Sequence, residues 1–140
     1  MKMAKDAKAE HTDEVWTCIG HCLEVHEAAT RCIFHCLEQG GEHAGSAHIR
    51  MLMDTAEIAR TGADFLLRGS AHRHFTCGVC GKICEHCADA CDAIGAGSEH
   101  MQRCAEACRR CAESCHAMAA HHAQEKGQKG TRDHAKAGYG

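Results

Sequence analysis

The residues that can do chemistry are cysteines, and they are densest between Cys77 and Cys91, where the sequence reads CGVCGKICEHCADAC. Its five thiols follow at intervals of 3, 4, 3 and 4 residues. A helix turns about 100° per residue, so alternating steps of three and four return each thiol to the same face. The five share an arc of roughly 80° at about 3.6 residues per turn. This is the a/d seam of a heptad with cysteine written where leucine usually stands. Thiolate is a soft ligand, suited to Cu(I), zinc and iron–sulfur clusters. Cysteines at i and i+4 can aim both sulfurs at one ion. A continuous row can hold a row of Cu(I) ions, each satisfied by about two or three sulfurs and sharing them with the next. Structural zinc instead wants closed tetrahedral sets, usually presented from a knuckle or ribbon. Cys77/Cys80 and Cys84/Cys87 have CxxC spacing, but nothing around them signals strands and a turn. The bacterial ferredoxin run ends in proline, and this chain has none.

The elements that must position these thiols are helices. Thr12 or Asp13 caps a first helix running to about Gln39, and Gly40-Gly41 stops it. Its seam is Cys18, Cys22, Val25, Ala29, Cys32 and Cys36, again in steps of four and three. A second helix, Ser46 to about Arg68, has no cysteine and offers His48, Leu52, Thr55, Ala59, Gly62 and Leu66 as its inner face. Ser70 to Thr76 is a connector, and the third helix carries the opening stripe to about Gly95. Ser98 caps a fourth helix with the stripe Cys104, Cys108, Cys111 and Cys115. Short connectors favour an all-α, antiparallel up-down-up-down four-helix bundle with a cysteine-lined core. The expected division is a flexible lead-in at 1–11, the metal-binding bundle at 12–124 and a flexible tail at 125–140.

That topology gathers His35, His43, His48, Met51, Met53, His100 and Met101 at one end. The other end collects Trp16, Phe65, Leu66, Leu67 and Phe75, an expected apolar plug. His48, Met51, His100 and Met101 are therefore the candidates for a metal mouth, because imidazole and thioether both bind soft ions. His21, His35, His86 and His116 adjoin cysteines, point about 100° off the seam, and read as flank residues.

Thirteen cysteines in 140 residues also compensate for a shortage of apolar residues. Leu, Ile, Val and Phe total only 17, and a free cysteine packs as a small hydrophobe. An odd number of cysteines cannot pair fully within one chain. The net charge of −3 gives no reason to expect nucleic acid or a membrane surface as a partner. The start, MKMAKD, has no apolar leader pattern. A reducing cytoplasm is therefore expected, where dense cysteine more often means metal than disulfide.

The sequence resembles the four-helix-bundle copper storage proteins over roughly residues 12–120. The resemblance rests on the CxxxC pairs of the first helix and on Gly40-Gly41-Glu42-His43-Ala44. It rests also on His48-Ile49-Arg50, Ala56-Glu57-Ile58, the Cys77–Cys91 run and the stretch CAEACRRCAESC from Cys104 to Cys115. It implies storage of many Cu(I) ions in a preformed bundle, commonly a homo-oligomer, with no catalytic site. A copper donor or acceptor protein is the partner it suggests. The family often has cysteines on the second helix, at places matching Thr55 and Ala59 here; their absence implies a lower capacity. A zinc or iron–sulfur protein and a thiol redox sensor stand as the alternative readings.

Overall fold

A computed structural model describes residues 12–95 and 97–129, with side chains as far as residue 121. Four helices follow in order: α1 Asp13–Gln39, α2 Ser46–Leu67, α3 Arg73–Ile94 and α4 Glu99–Lys129, with a short 3-10 turn at Gly41–Ala44. There is no strand among the described residues. Each helix packs on its sequence neighbours, and α1 closes the ring against α4. The fold is an up-down-up-down bundle.

Local chemistry sets the helix ends. Thr12 Oγ1 accepts the Val15 N–H at 3.3 Å, and Asp13 and Glu14 lie in the first turn, where negative charge suits the helix dipole. Gly40 ends α1 at φ 72°, ψ −165°, a backbone region essentially reserved for glycine. Ser98 Oγ accepts the Met101 N–H at 3.3 Å and so caps α4. The α3 start differs from expectation. Ser70 Oγ accepts the His72 N–H at 3.0 Å, which finishes the turn early and lets α3 begin at Arg73, inside the expected connector. At the far end α4 continues to Lys129, past the expected boundary at 124, through the good helix formers Ala123, Gln124, Glu125 and Lys126. The expected lead-in at 1–11 and the tail beyond 129 lie outside the described residues.

The core is built from cysteine and small residues. All thirteen cysteines are at most 1% exposed. Val15, Ile19, Val25, Leu52 and Leu66 are buried with them, each worth about 1.5–3 kcal/mol. The expected aromatic plug does not form. Trp16, Leu67 and Phe75 are 41%, 42% and 55% exposed. Trp16 precedes Cys18, and Phe75 precedes Cys77, by two residues, so about 200° of helical turn carries each ring outward. Of the expected plug Leu66 alone is fully buried, and Val15, Ile19, Ala63, Ser70, His74 and Met118 are the other buried residues at that end. His74 Nδ1 pairs with the Met118 carbonyl at 2.9 Å, tying α3 to α4. No helix among the described residues is long and apolar enough to cross a membrane.

Candidate metal centre

The seams of α1, α3 and α4 bring their sulfurs into van der Waals reach along the bundle axis. Near the end that carries Val15, Leu66 and Met118, Cys18 Sγ lies 3.7 Å from Cys115 Sγ, and Cys22 Sγ lies 3.9 Å from Cys115 and 3.7 Å from Cys111. Cys111 is 3.8 Å from Cys115 and 3.9 Å from Cys80, and Cys80 is 3.9 Å from Cys84. Four sets have all their sulfurs within 4.8 Å of one another: Cys22/Cys80/Cys111/Cys115, Cys18/Cys77/Cys115, Cys32/Cys91/Cys104 and Cys87/Cys104/Cys108. Cys115 joins the first two sets and Cys104 the last two, and Cys84, which lies 3.9 Å from Cys80 and contacts Cys108, links them into one thiol column. All thirteen thiols are free.

The fourth wall is dry. Thr55 and Ala59 are fully buried on the inner face of α2. Thr55 donates its hydroxyl to the Met51 carbonyl at 2.7 Å and supplies no sulfur to the column. Gly62 brings the α2 backbone close: a methyl there would lie 3.6 Å from Cys22 Sγ and 3.9 Å from Cys80 Sγ.

At the other end the column finishes in mixed ligands. Met101 Sδ sits 3.3 Å from Cys32 Sγ and 3.4 Å from Cys36 Sγ. His48 Nε2 is 3.5 Å and His43 Nδ1 3.8 Å from Cys36 Sγ. His48 is buried, and its Nδ1 has no hydrogen-bond partner, an unusual state for a buried polar atom. Of the mouth residues named from sequence, His48 and Met101 are thus beside sulfur. His100 is exposed and stacks on His35 with ring centroids 4.3 Å apart. Met51 is half-buried, packed against the apolar core. His43 was not a mouth candidate, because it lies in the 3-10 turn, where helical periodicity gives no direction. The flank histidines hold the outside together: His21 Nδ1 with Ser114 Oγ at 3.0 Å, His35 Nε2 with Ser98 Oγ at 3.0 Å, and His116 Nε2 with Glu85 at 2.9 Å. His86 is exposed.

Burial and mutual contact set the protonation of the column. Burial, with the Cys32 thiol beside it, pushes Cys36 up to about 12. Contacts with Cys108 and then Cys32 push Cys104 up as well. Cys80 moves the other way, held down by thiol contacts from Cys111 and then Cys115. A soft cation entering the column must displace the thiol protons.

The sequence model of the copper storage protein family matches residues 11–120. The chain belongs to the copper storage protein family. A cysteine-rich protein of Bacillus subtilis, YhjQ, described as uncharacterized, is 34% identical over 103 residues, covering 74% of this chain and 94% of its own length. The Cu(I)-bound copper storage protein BsCsp3 superposes with a TM-score of 0.71 at 32% identity, over 76% of this chain and 99% of that one. A cytosolic copper storage protein from Streptomyces lividans, solved with five coppers, superposes with a TM-score of 0.72 at 29% identity, over 77% of this chain and 93% of that one. Membership gives the thiol column its cargo: this is a copper storage bundle, and its buried cysteines are positioned to bind metal ions.

Proposed function

We propose that this chain stores Cu(I) in the cytoplasm with all thirteen cysteines as ligands, and that it performs no catalysis. The observation that carries this reading is the convergence of thiols from α1, α3 and α4 on one buried axis. Each overlapping set of three suits an ion that is content with about two or three soft ligands. The metal-binding unit is the bundle at 12–124. His48 and Met101 form the mouth with Cys36, and His43 is the outermost ligand of that group. His100 and Met51 stand at the same end as a rim. Copper passes to and from a donor or acceptor protein at this end, and the working form is a homo-oligomer. The cytosolic setting of the Streptomyces lividans relative supports the compartment.

Anaerobic titration of the fully reduced chain with Cu(I) against a chromogenic chelator tests the reading. Several ions per chain, with thiolate-to-Cu(I) charge-transfer absorption growing until the column is full, is the expected result. Saturation at one ion or none overturns it. Metal analysis after separate growth in copper and in zinc gives a second check, since zinc dominating under both conditions contradicts copper storage.

A further inference from the structure

One set in the column differs from the rest. Cys22 of α1, Cys80 of α3 and Cys111 and Cys115 of α4 place four sulfurs, not three, within 4.8 Å of one another. Four of the edges of this group measure 3.7, 3.9, 3.8 and 3.9 Å. A regular tetrahedron of thiolates around zinc, with Zn–S of about 2.3 Å, has S···S edges of about 3.8 Å by simple geometry. Four of the six edges thus already match the separation that a tetrahedral divalent ion imposes, and the other two lie within 4.8 Å. All four cysteines are fully buried. Gly62 of α2 closes the open side without supplying a donor atom. Four buried sulfurs fill a tetrahedral shell, so the set is closed, as structural zinc sites are.

We propose that Cys22, Cys80, Cys111 and Cys115 form a tetrathiolate site for one divalent cation of the zinc class. The site lies inside the column but selects by geometry. The sets of three sulfurs satisfy Cu(I) and leave a buried tetrahedral ion one ligand short. Zinc therefore occupies this position alone and, once bound, clips α1, α3 and α4 together. Occupation displaces the thiol protons, so it weakens as pH falls. Cu(I), the softer ion, exchanges into the same sulfurs as Zn(II) leaves, with no electron transferred. This proposal does not depend on copper storage, because it concerns the copper-free chain.

The test uses the reduced full-length chain under argon, with Co(II) as the probe and Zn(II) as competitor. The expected result is one Co(II) per chain. Intense d–d bands in the red and thiolate charge transfer in the near ultraviolet mark tetrahedral sulfur, and both vanish on addition of one Zn(II). Cys22→Ser and Cys111→Ser should each weaken Co(II) binding at least about tenfold, the scale on which lesser changes around a metal already act. His86→Ala, exposed on the outside of α3, should bind as the parent does. Bands that persist in Cys22→Ser and Cys111→Ser, or an absence of tetrahedral bands in the parent, overturn the proposal. X-ray absorption of the Zn(II)-loaded parent removes dependence on the variants: four sulfurs at about 2.3 Å support the site, and any nitrogen or oxygen neighbour refutes it. A parent that ignores Co(II) and Zn(II) but still fills with Cu(I) rejects this site and leaves copper storage standing.

Discussion

Met101 Sδ lies 3.4 Å from Cys36 Sγ, so the thiol column ends in a thioether from α4 lying against a thiol from α1. Met101 is 1% exposed. It is therefore a packing residue and a soft donor at once, and a substitution can separate the two. Met101→Leu keeps shape and hydrophobicity, and such swaps usually cost less than about 1.5 kcal/mol. The apo melting temperature should move by only a few degrees, while the initial rate of Cu(I) transfer from a chelator falls severalfold. Equal rates in stopped-flow mixing would remove the thioether from the loading path.

Gly95 is what allows Met101 to sit there. A methyl at Gly95 would lie 2.7 Å from Met101 Cβ, closer than any real contact. Gly95→Ala should destabilise the apo bundle by about 1–3 kcal/mol, the usual cost of overpacking, and push the thioether off Cys32 and Cys36. Adding Met101→Ala removes the overlap with Met101 Cγ and Cε but keeps its Cβ, so it should recover only part of that loss. Thermal unfolding of the single and double variants checks both halves; equal melting temperatures would show that the backbone relaxes instead.

The same end separates two kinds of histidine. His48 is buried with Nε2 3.5 Å from Cys36 Sγ, whereas His100 is exposed on the outside of His35. His48→Ala should slow both uptake and release of Cu(I), and His100→Ala should change them by less than about twofold, as surface substitutions away from a site usually do. If His100→Ala proves the slower of the two, copper is first captured on the rim.

Much of this was legible in the residue spacing, and the same rule explains why the four mouth candidates sit differently. Cysteines at steps of three and four define one helical face wherever they occur, so the column followed from the chain alone. Met101 continues that series into Cys104 and Cys108, and His48 continues into Leu52 and Thr55. His100 and Met51 are each one residue off those series, about 100° away; sharing an end of the bundle was not enough. His43 belongs to the same end by topology, but its contact with Cys36 and the seat under Met101 were beyond reach, since a 3-10 turn and a glycine contact depend on tertiary approach rather than periodicity.

Proton linkage gives a prediction with a definite sign. Burial and the neighbouring Cys32 push Cys36 up to about 12. Cys77 also rises to about 12: its contact with Cys115 acts downward, but Cys18 and burial outweigh it. The ordinary thiol value is 9.0. Below that value these groups are protonated in both the folded and unfolded chain, and their contribution is fully present. Between 9 and 12 the unfolded chain ionises first, so apo stability falls as pH rises through this window. Anaerobic melting curves should show that decline in the apo chain and a much smaller one in the copper-loaded chain, whose thiols are already deprotonated. A flat or rising apo profile would contradict it.

The cysteine-free helix offers the most direct test of how the column works. Thr55 and Ala59 are fully buried on its inner face, one helical turn apart, as are the CxxxC pairs of α1. If capacity is limited by the sulfur supply of the fourth wall, Thr55→Cys with Ala59→Cys should add about one or two Cu(I) ions per chain, since each ion needs about two or three soft ligands shared with its neighbours. The cost falls on packing. Ala59→Cys adds volume to a filled core, and the pair should lower apo stability by about 1–3 kcal/mol. Copper should restore that loss, because ligands binding only the folded chain stabilise it. Chelator titration counts the ions and melting curves follow the stability. A double variant that folds yet holds no more copper than the parent would mean that the space along the axis, rather than the number of thiolates, sets the limit.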